Sequence, residues 1–379
     1  MTGTLAIFTS QLGTASETFI RRHVEDLLPG QTIVVARNSG PPFGGFWKAS
    51  CPVLYLDDHS RLWRARLARL AGTSESAARD AVTERFLRRH GVTAVLGEYL
   101  DQFADFVPLL DRLRLRYVAQ GHGIDLSASL QKRATADRYG AYKSARAVLT
   151  RCEFHRRRLV ELGISPQTVH VNPGGVQVPE AVPVRGANAG KRFLAIGRMV
   201  PKKGPIYLLE AFRLASARDA YVTLDVVGDG PLFAAAHQFV QACGLSTRVR
   251  LHGAASDEKK KQLLDECGVF VQHSITDPDT GDEEGLPAAI QEAMAHGIAV
   301  ISTRHAGIPE AIEDGVTGWL IAEGDSVGMS DAMLQASTEN ELRFRLGAAA
   351  RAKAERFYSW SGERDRLLQY LGEFSDNAV

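Results

Sequence analysis

Two hydrophobic rhythms alternate along this chain. Short apolar runs rich in Val, Ile and Leu predict strands at residues 5–9, 32–36, 53–56, 92–96, 116–119, 148–150 and 169–171 in the first half. The second half repeats the scheme at 193–196, 222–227, 249–252, 269–272 and 299–302. Between these runs apolar residues recur at intervals of three and four, the period of a helix with one buried face. Over 17–28, Phe19, Ile20, Val24 and Leu27 line such a face, and Ser16 is placed to cap it. The stretch 355–374 is also helical and carries Phe357, Tyr358, Trp360 and Tyr370. Strands alternating with helices imply an α/β fold with parallel sheets covered on both faces. The segment 179–190, with Pro179, Pro183, Gly186 and Gly190, reads as a hinge between two such units. The expected domains are therefore 1–180 and 190–356, with a last helix at 357–379 packing back on the first.

Length and composition agree with this reading. A chain of 379 residues predicts two domains. With 45% hydrophobic and 23% charged residues it can bury large cores, which excludes a disordered, collagen-like or disulfide-stapled chain. No run of eighteen apolar residues is present to span a bilayer as a helix. The opening Met1-Thr-Gly-Thr-Leu-Ala-Ile-Phe reads as a first strand rather than a secretory signal. Cys51, Cys152, Cys243 and Cys267 lie at least 24 positions apart with no Cys-x-x-Cys, so reduced thiols in a cytoplasmic protein are the simplest reading. The net charge of +1 conceals an asymmetry: residues 1–180 hold 24 Lys and Arg against 17 Asp and Glu, and the remainder is acidic. Either the first half meets something anionic, or the charges are scattered over two solvated surfaces.

In doubly wound sheets ligands sit beyond the carboxyl ends of the strands, so chemistry is read from the loops after those ends. The most informative loop runs Glu284-Gly-Leu-Pro-Ala-Ala-Ile-Gln-Glu292. Pro287 suits the first turn of a helix. The N–H groups of Gly285 and Leu286 together with the helix dipole suit a phosphate. Glu292, flanked by Ala289, Ile290, Ala293 and Met294, is a carboxylate in apolar company, for which vicinal sugar hydroxyls are fitting donors. The plainer alternative is a helix with one capping and one exposed acid. A second loop, Gly197-Arg198-Met-Val-Pro-Lys202-Lys203-Gly204, sets cations at a strand end before a helix near Pro205. Such cations stabilise a diphosphate leaving group as its charge grows, although a basic loop is often merely solvated. A third, Gln120-Gly-His122-Gly-Ile-Asp125, leaves the His122 ring open between glycines, with Asp125 to orient the ring or cap the next turn of chain.

These segments in this order resemble the group 1 family of retaining glycosyltransferases. The features are Glu284 and Glu292 with seven residues between them, Arg198 and Lys203 before Gly204, Val226-Val-Gly228-Asp-Gly230-Pro, and Ser302-Thr-Arg-His-Ala-Gly307-Ile-Pro-Glu310. The likeness is strongest over 190–325 and extends weakly into the first half through Ser16-Glu17-Thr18-Phe19 and Gly121-His122-Gly123. It is most similar to bacterial transferases of exopolysaccharide and colanic-acid type, where Glu-Gly-(Ile/Leu)-Pro is found. The resemblance implies the GT-B fold, two Rossmann-like domains facing a cleft. It further implies a UDP- or GDP-sugar donor, and a glycan, lipid-linked saccharide or small glycoside acceptor. No metal and no other cofactor are expected. Carried over by residue, Arg198 and Lys203 hold the donor diphosphate, Glu284 the sugar hydroxyls and Glu292 the ribose. Gly285, Leu286 and Pro287 line the donor, and His122 sits beside the sugar. Gly13 lies near the diphosphate, where Gln11-Leu-Gly13-Thr replaces the usual glycine pair.

Two further segments invite readings of their own. Asp277-Pro-Asp279-Thr-Gly-Asp282-Glu283-Glu284 matches no calcium-loop spacing and reads as a flexible acidic loop. Arg61, Arg64, Arg66 and Arg69 alternate with Leu62, Trp63, Leu67 and Leu70, and Phe43-Gly-Gly-Phe-Trp47 lies nearby. That pattern fits either a basic helix on an anionic membrane, at the inner face of the cell membrane, or an ordinary surface helix. Nucleic acid is not an expected partner of a near-neutral chain without a recognised module. The competing functions are a nucleotide-sugar epimerase, a non-catalytic nucleotide-sugar binder, and a dinucleotide oxidoreductase. The last rests only on Gly228-Asp-Gly230, which lacks a third glycine.

Overall fold

The computed structural model describes residues 3–14, 17–38, 47–57, 74–186 and 188–372. The expected Ser16 cap and the basic pattern of 61–70 lie outside the described residues, as do 43–46 and 373–379.

The chain divides into two compact units. The first comprises Met1–Arg151, His155–Asn172 and Arg364–Val379, and the second Cys152–Phe154 and Pro173–Glu363. The first holds a seven-stranded sheet: β1 Thr4–Gln11, β2 Thr32–Asn38, β3 Val53–Tyr55, β4 Val92–Glu98, β5 Arg116–Gln120, β6 Ala147–Thr150 and β7 Val169–Val171. Their order is β3-β2-β1-β4-β5-β6-β7, all pairs parallel. The second holds six strands: β8 Arg192–Ile196, β9 Thr223–Val227, β10 Val249–Leu251, β11 Val269–Gln272, β12 Ala299–Thr303 and β13 Gly318–Ile321. Their order is β10-β9-β8-β11-β12-β13, again all parallel. Each sheet thus reverses its direction of growth once, between β1 and β4 and between β8 and β11. That reversal is the crevice where doubly wound sheets bind ligands.

Hydrophobic burial fixes both faces of each sheet. In the second, Phe193, Val269, Val271 and Ile301 pack toward Leu208, Leu209, Phe212 and Met333. Leu194, Phe270 and Val300 face the other way, toward Ile290, Ala293, Met294 and Ala350. Alternate residues of one strand therefore feed two cores, as covered parallel strands require. The 179–190 segment belongs to the second unit and is docked there. Arg185 donates to the carbonyls of Leu264 and His296, and Arg351 donates to that of Pro179. The predicted helix at 355–374 is two helices, Asn340–Phe357 and Trp360–Leu371. They break where Ser359 bridges to Val176, and a backbone bridge of this kind leaves no local pattern in sequence.

Candidate functional site

In the second unit the loops after β8 and β11, the two strands at the reversal, carry the predicted donor residues. After β8 the chain passes Gly197 and Arg198 into a tight turn at Pro201–Lys203. Gly204 then turns left-handed (φ +49°) and starts the helix Pro205–Arg218 with Pro205 in its first turn. A Cβ on Gly204 would lie 2.7 Å from the His273 carbonyl oxygen, so only glycine fits between the two loops.

This turn brings Lys203 to Glu284. Lys203 Nζ lies 3.1 Å from Glu284 Oε2, and Lys202 Nζ lies 3.6 Å from Oε1. Lys202 also meets Asp282 Oδ2 at 3.0 Å and donates to the Glu283 carbonyl at 3.1 Å. Both lysines and Glu284 are largely buried, while Arg198 stays exposed beside them. Burial alone would raise the Glu284 carboxyl. The Lys203 and Lys202 charges and the Lys203 hydrogen bond outweigh it and hold the group at about 2. Burial pulls the Lys203 ammonium below its usual range, against the opposing pull of Glu284. The Arg198 charge bears on both groups. Three cations thus crowd one ionised carboxylate that has little access to water, an arrangement suited to an added anion.

The acidic stretch 277–284 is a closed turn rather than a flexible loop. Asp277 accepts from the Asp279 N–H at 3.0 Å and from the Thr280 hydroxyl at 2.7 Å, and its N–H reaches the Asp282 carbonyl at 2.9 Å. Lys202 anchors its C-terminal end, a role that sequence reasoning missed because a lysine doublet does not say which member points inward. Among the described residues no group of acids, histidines and cysteines is placed to hold a metal ion. Gly285, Leu286 and Pro287 are buried between Glu284 and the helix Ala288–Ala295. Pro287 is the extended cap residue of that helix, not its first helical residue. Glu292 is half-buried on the second turn.

In the first unit the reversal lies between β1 and β4. Gly13, after β1, is buried at φ +95°. His122, after β5, is not open as its flanking glycines suggest. Its Nε2 lies 2.6 Å from Glu98 Oε2, and Arg151 Nε donates to its Nδ1 at 3.3 Å. Phe19 stacks on the ring at 4.3 Å and Tyr99 leans on it at 4.8 Å. Asp125 holds backbone instead of the ring, accepting the N–H groups of His122, Gly123 and Leu100, each at 2.9 Å. The ring's orienter is Glu98 at the end of β4, which also meets buried His23 at 2.5 Å. Burial would raise the Glu98 carboxyl, but the His23 charge and the hydrogen bonds of both histidines hold it far below the carboxylate range. Glu98 and His23 carried no signal in sequence, since an acid at a strand end and a histidine on a helix are each unremarkable alone.

Residues 183–353 match the family model described as glycosyl transferases group 1. This chain carries a group 1 glycosyl transferase domain. Its lysine turn and Glu284 both lie within that domain. The amylovoran biosynthesis glycosyltransferase AmsK of Erwinia amylovora is 31% identical over 267 residues, 68% of this chain and 65% of that protein. The putative colanic acid biosynthesis glycosyltransferase WcaL of Salmonella typhimurium is 27% identical over 77% of this chain and 69% of its own length. The match to AmsK thus spans a little under two thirds of that relative. Among solved structures, Anabaena Alr3699/HepE in complex with UDP and glucose superposes with a TM-score of 0.77, at 16% identity over 98% of this chain and all of that one. The sucrose-phosphate synthase of Thermosynechococcus elongatus gives 0.73 at 17% identity, over 97% of this chain and 98% of that one. The glycosyl transferase domain and the sheet before it therefore form a GT-B fold.

Proposed function

We propose that this protein is a retaining, metal-independent glycosyltransferase of bacterial surface polysaccharide synthesis. It moves a sugar from a UDP- or GDP-activated donor to a glycan, a lipid-linked saccharide or a small glycoside. The observation that carries this reading is the buried Lys203–Glu284 pair, with Lys202 and Arg198 beside it, at the reversal between β8 and β11. The names of the Erwinia and Salmonella relatives support the polysaccharide assignment, and the UDP complex of the Anabaena protein supports the donor class.

In this reading Arg198 and Lys203 take the diphosphate. Charge builds on the leaving group as the glycosidic bond lengthens, and fixed cations in a site with little water stabilise it without reorganising. Glu284 stays ionised and accepts hydrogen bonds from hydroxyls of the transferred sugar, with Gly285, Leu286 and Pro287 beside it. Glu292 accepts from the ribose hydroxyls. Retention results from attack on the face that the leaving group vacates, with no protein nucleophile.

Titration of the purified protein with UDP, GDP and their sugars tests the donor class, because a ligand that binds only the folded state raises the melting temperature by mass action. One nucleotide series is expected to shift the melt and the other not. Lys203→Ala should cut turnover by about 10²–10³-fold, the usual effect of removing one charge-stabilising donor. Proton NMR of the product should show the donor's anomeric configuration kept, and a chelator should leave the rate unchanged. Full activity in Lys203→Ala, or donor conversion without any acceptor to an epimeric sugar nucleotide, defeats the reading.

A further inference from the structure

The loop from β11 to Glu284 is tied to the Glu323 carboxylate directly near its start and through His305 at its end. Glu323, just after β13, accepts the Thr276 N–H on Oε2 at 3.0 Å. Its Oε1 lies 2.7 Å from His305 Nδ1. The other ring nitrogen of His305, Nε2, accepts the Glu284 N–H at 3.1 Å. A backbone N–H can only donate, so Nε2 carries the lone pair and the ring proton sits on Nδ1. The Glu323 carboxylate is the acceptor that fixes this tautomer. His305 is buried, with 1% of its side chain exposed, whereas Glu323 reaches the surface at 37%.

The surroundings leave His305 little freedom. Ala306 sits at φ +43°, a left-handed conformation uncommon for a residue with a Cβ. Gly307 lies so close to the Gly285 carbonyl oxygen that a Cβ there would stand 2.5 Å away. Gly324 donates its N–H to Nε2 of buried His273 at 2.9 Å, so consecutive residues 323 and 324 clamp both histidines. Strain held in a loop against a charged site marks a geometry that the surrounding structure enforces.

We propose that His305, with its tautomer set by Glu323, is a positioning residue that fixes the Glu284 main chain and thereby aims the Glu284 carboxylate at Lys203 and the transferred sugar. The inference rests on the glycosyl-transfer reading above. It predicts a particular split of effects. A nucleoside diphosphate lacks the sugar, so losing the His305 contact should spare its binding. Turnover, which needs Glu284 in place at the reacting end, should fall, because displacement of about 1 Å is enough to cost about a hundredfold.

The test measures hydrolysis of UDP-glucose and GDP-mannose by release of the nucleoside diphosphate, with calorimetric binding of UDP and GDP alongside. His305→Ala should lower kcat about a hundredfold and change nucleoside diphosphate affinity by less than about threefold. His305→Gln, whose side-chain carbonyl can accept the Glu284 N–H, should recover most of the loss. Glu323→Gln should cost about tenfold, and combined with His305→Ala the loss should fall well short of the product of the two, because Glu323 bears on Glu284 through His305 and only its Thr276 contact is separate. Additive losses in the double variant, parallel losses of affinity and turnover, or wild-type kcat in His305→Ala would each overturn the proposal. If His305→Ala unfolds, the surface variant Glu323→Gln carries the same comparison, lowering kcat while sparing nucleoside diphosphate affinity, and His305→Gln serves as the near-native reference. If the unaltered protein binds neither UDP nor GDP and consumes neither donor, the glycosyl-transfer reading itself has failed, a result distinct from any of these.

Discussion

Glu284 is an acid surrounded by cations and shielded from water, which sets its pH behaviour. Its folded-state value of about 2 lies below the ordinary 4.5. A depressed carboxyl stabilises the fold fully above the unfolded value and loses that contribution as pH falls from about 4.5 toward 2. Glu284→Gln leaves Lys203 buried without its anion, a change that typically costs about 3–5 kcal/mol. Thermal melts of the two proteins should therefore differ at pH 7, draw together below about pH 4.5 and meet only as the pH approaches 2. A gap that stays constant across that range would mean the carboxylate is not held by charge. Lys203 and Glu284 were legible in sequence because each stands next to a glycine or proline that marks a strand-to-helix loop. Lys202, His305, Glu323, Glu98 and His23 were not. Their partners come from loops of other strands, and no spacing along one segment encodes a contact made across the sheet. His122 shows the reverse error, because its glycines suggested an open ring where Glu98, Arg151 and Phe19 enclose it.

Strands were the easiest elements to read. Twelve apolar runs were expected and all twelve are strands, with ends displaced by a few residues, because a parallel strand buried on both faces is apolar throughout. The thirteenth, Gly318–Ile321, went unseen: it is four residues long, opens on glycine and, among the described strands, pairs with β12 at the sheet edge. Turns at the strand ends were harder, because backbone approach matters there more than side-chain type. Gly228, after β9, has φ +140°, and a Cβ on it would fall 1.8 Å from the Gly197 carbonyl oxygen. Gly228→Ala should destabilise the second unit by more than about 1 kcal/mol, since the conformation and the space both forbid it. Gly244→Ala is the control, with φ +67° and nothing within 4 Å, so it bears only the conformational part. Equal losses in denaturant melts of the two variants would show that the approach of Gly228 to Gly197 is not tight.

At the scale of the whole chain, the first unit is not contiguous. After the second unit ends at Glu363, the chain supplies the first with its last helical segment. There Arg364 donates to the Leu27 carbonyl at 3.2 Å, Arg366 to Asn172 Oδ1 at 2.9 Å, and Tyr370 stacks on His170 at 5.0 Å. Leu367 and Leu371 are buried. A chain ending at residue 363 forfeits both leucines, each worth about 1.5–3 kcal/mol of burial. Its first unit should melt earlier in calorimetry while the second keeps its transition, and unchanged transitions would contradict the assignment of that segment. The same connectivity has a consequence during synthesis. Residues up to Asn172 leave the ribosome early, but the piece that completes their surface is translated only after all of 173–363. At about 5–20 residues per second that interval is on the order of ten seconds or more. For that time the nascent first unit carries an uncovered apolar seat, the stage at which a cell's folding helpers would engage this chain.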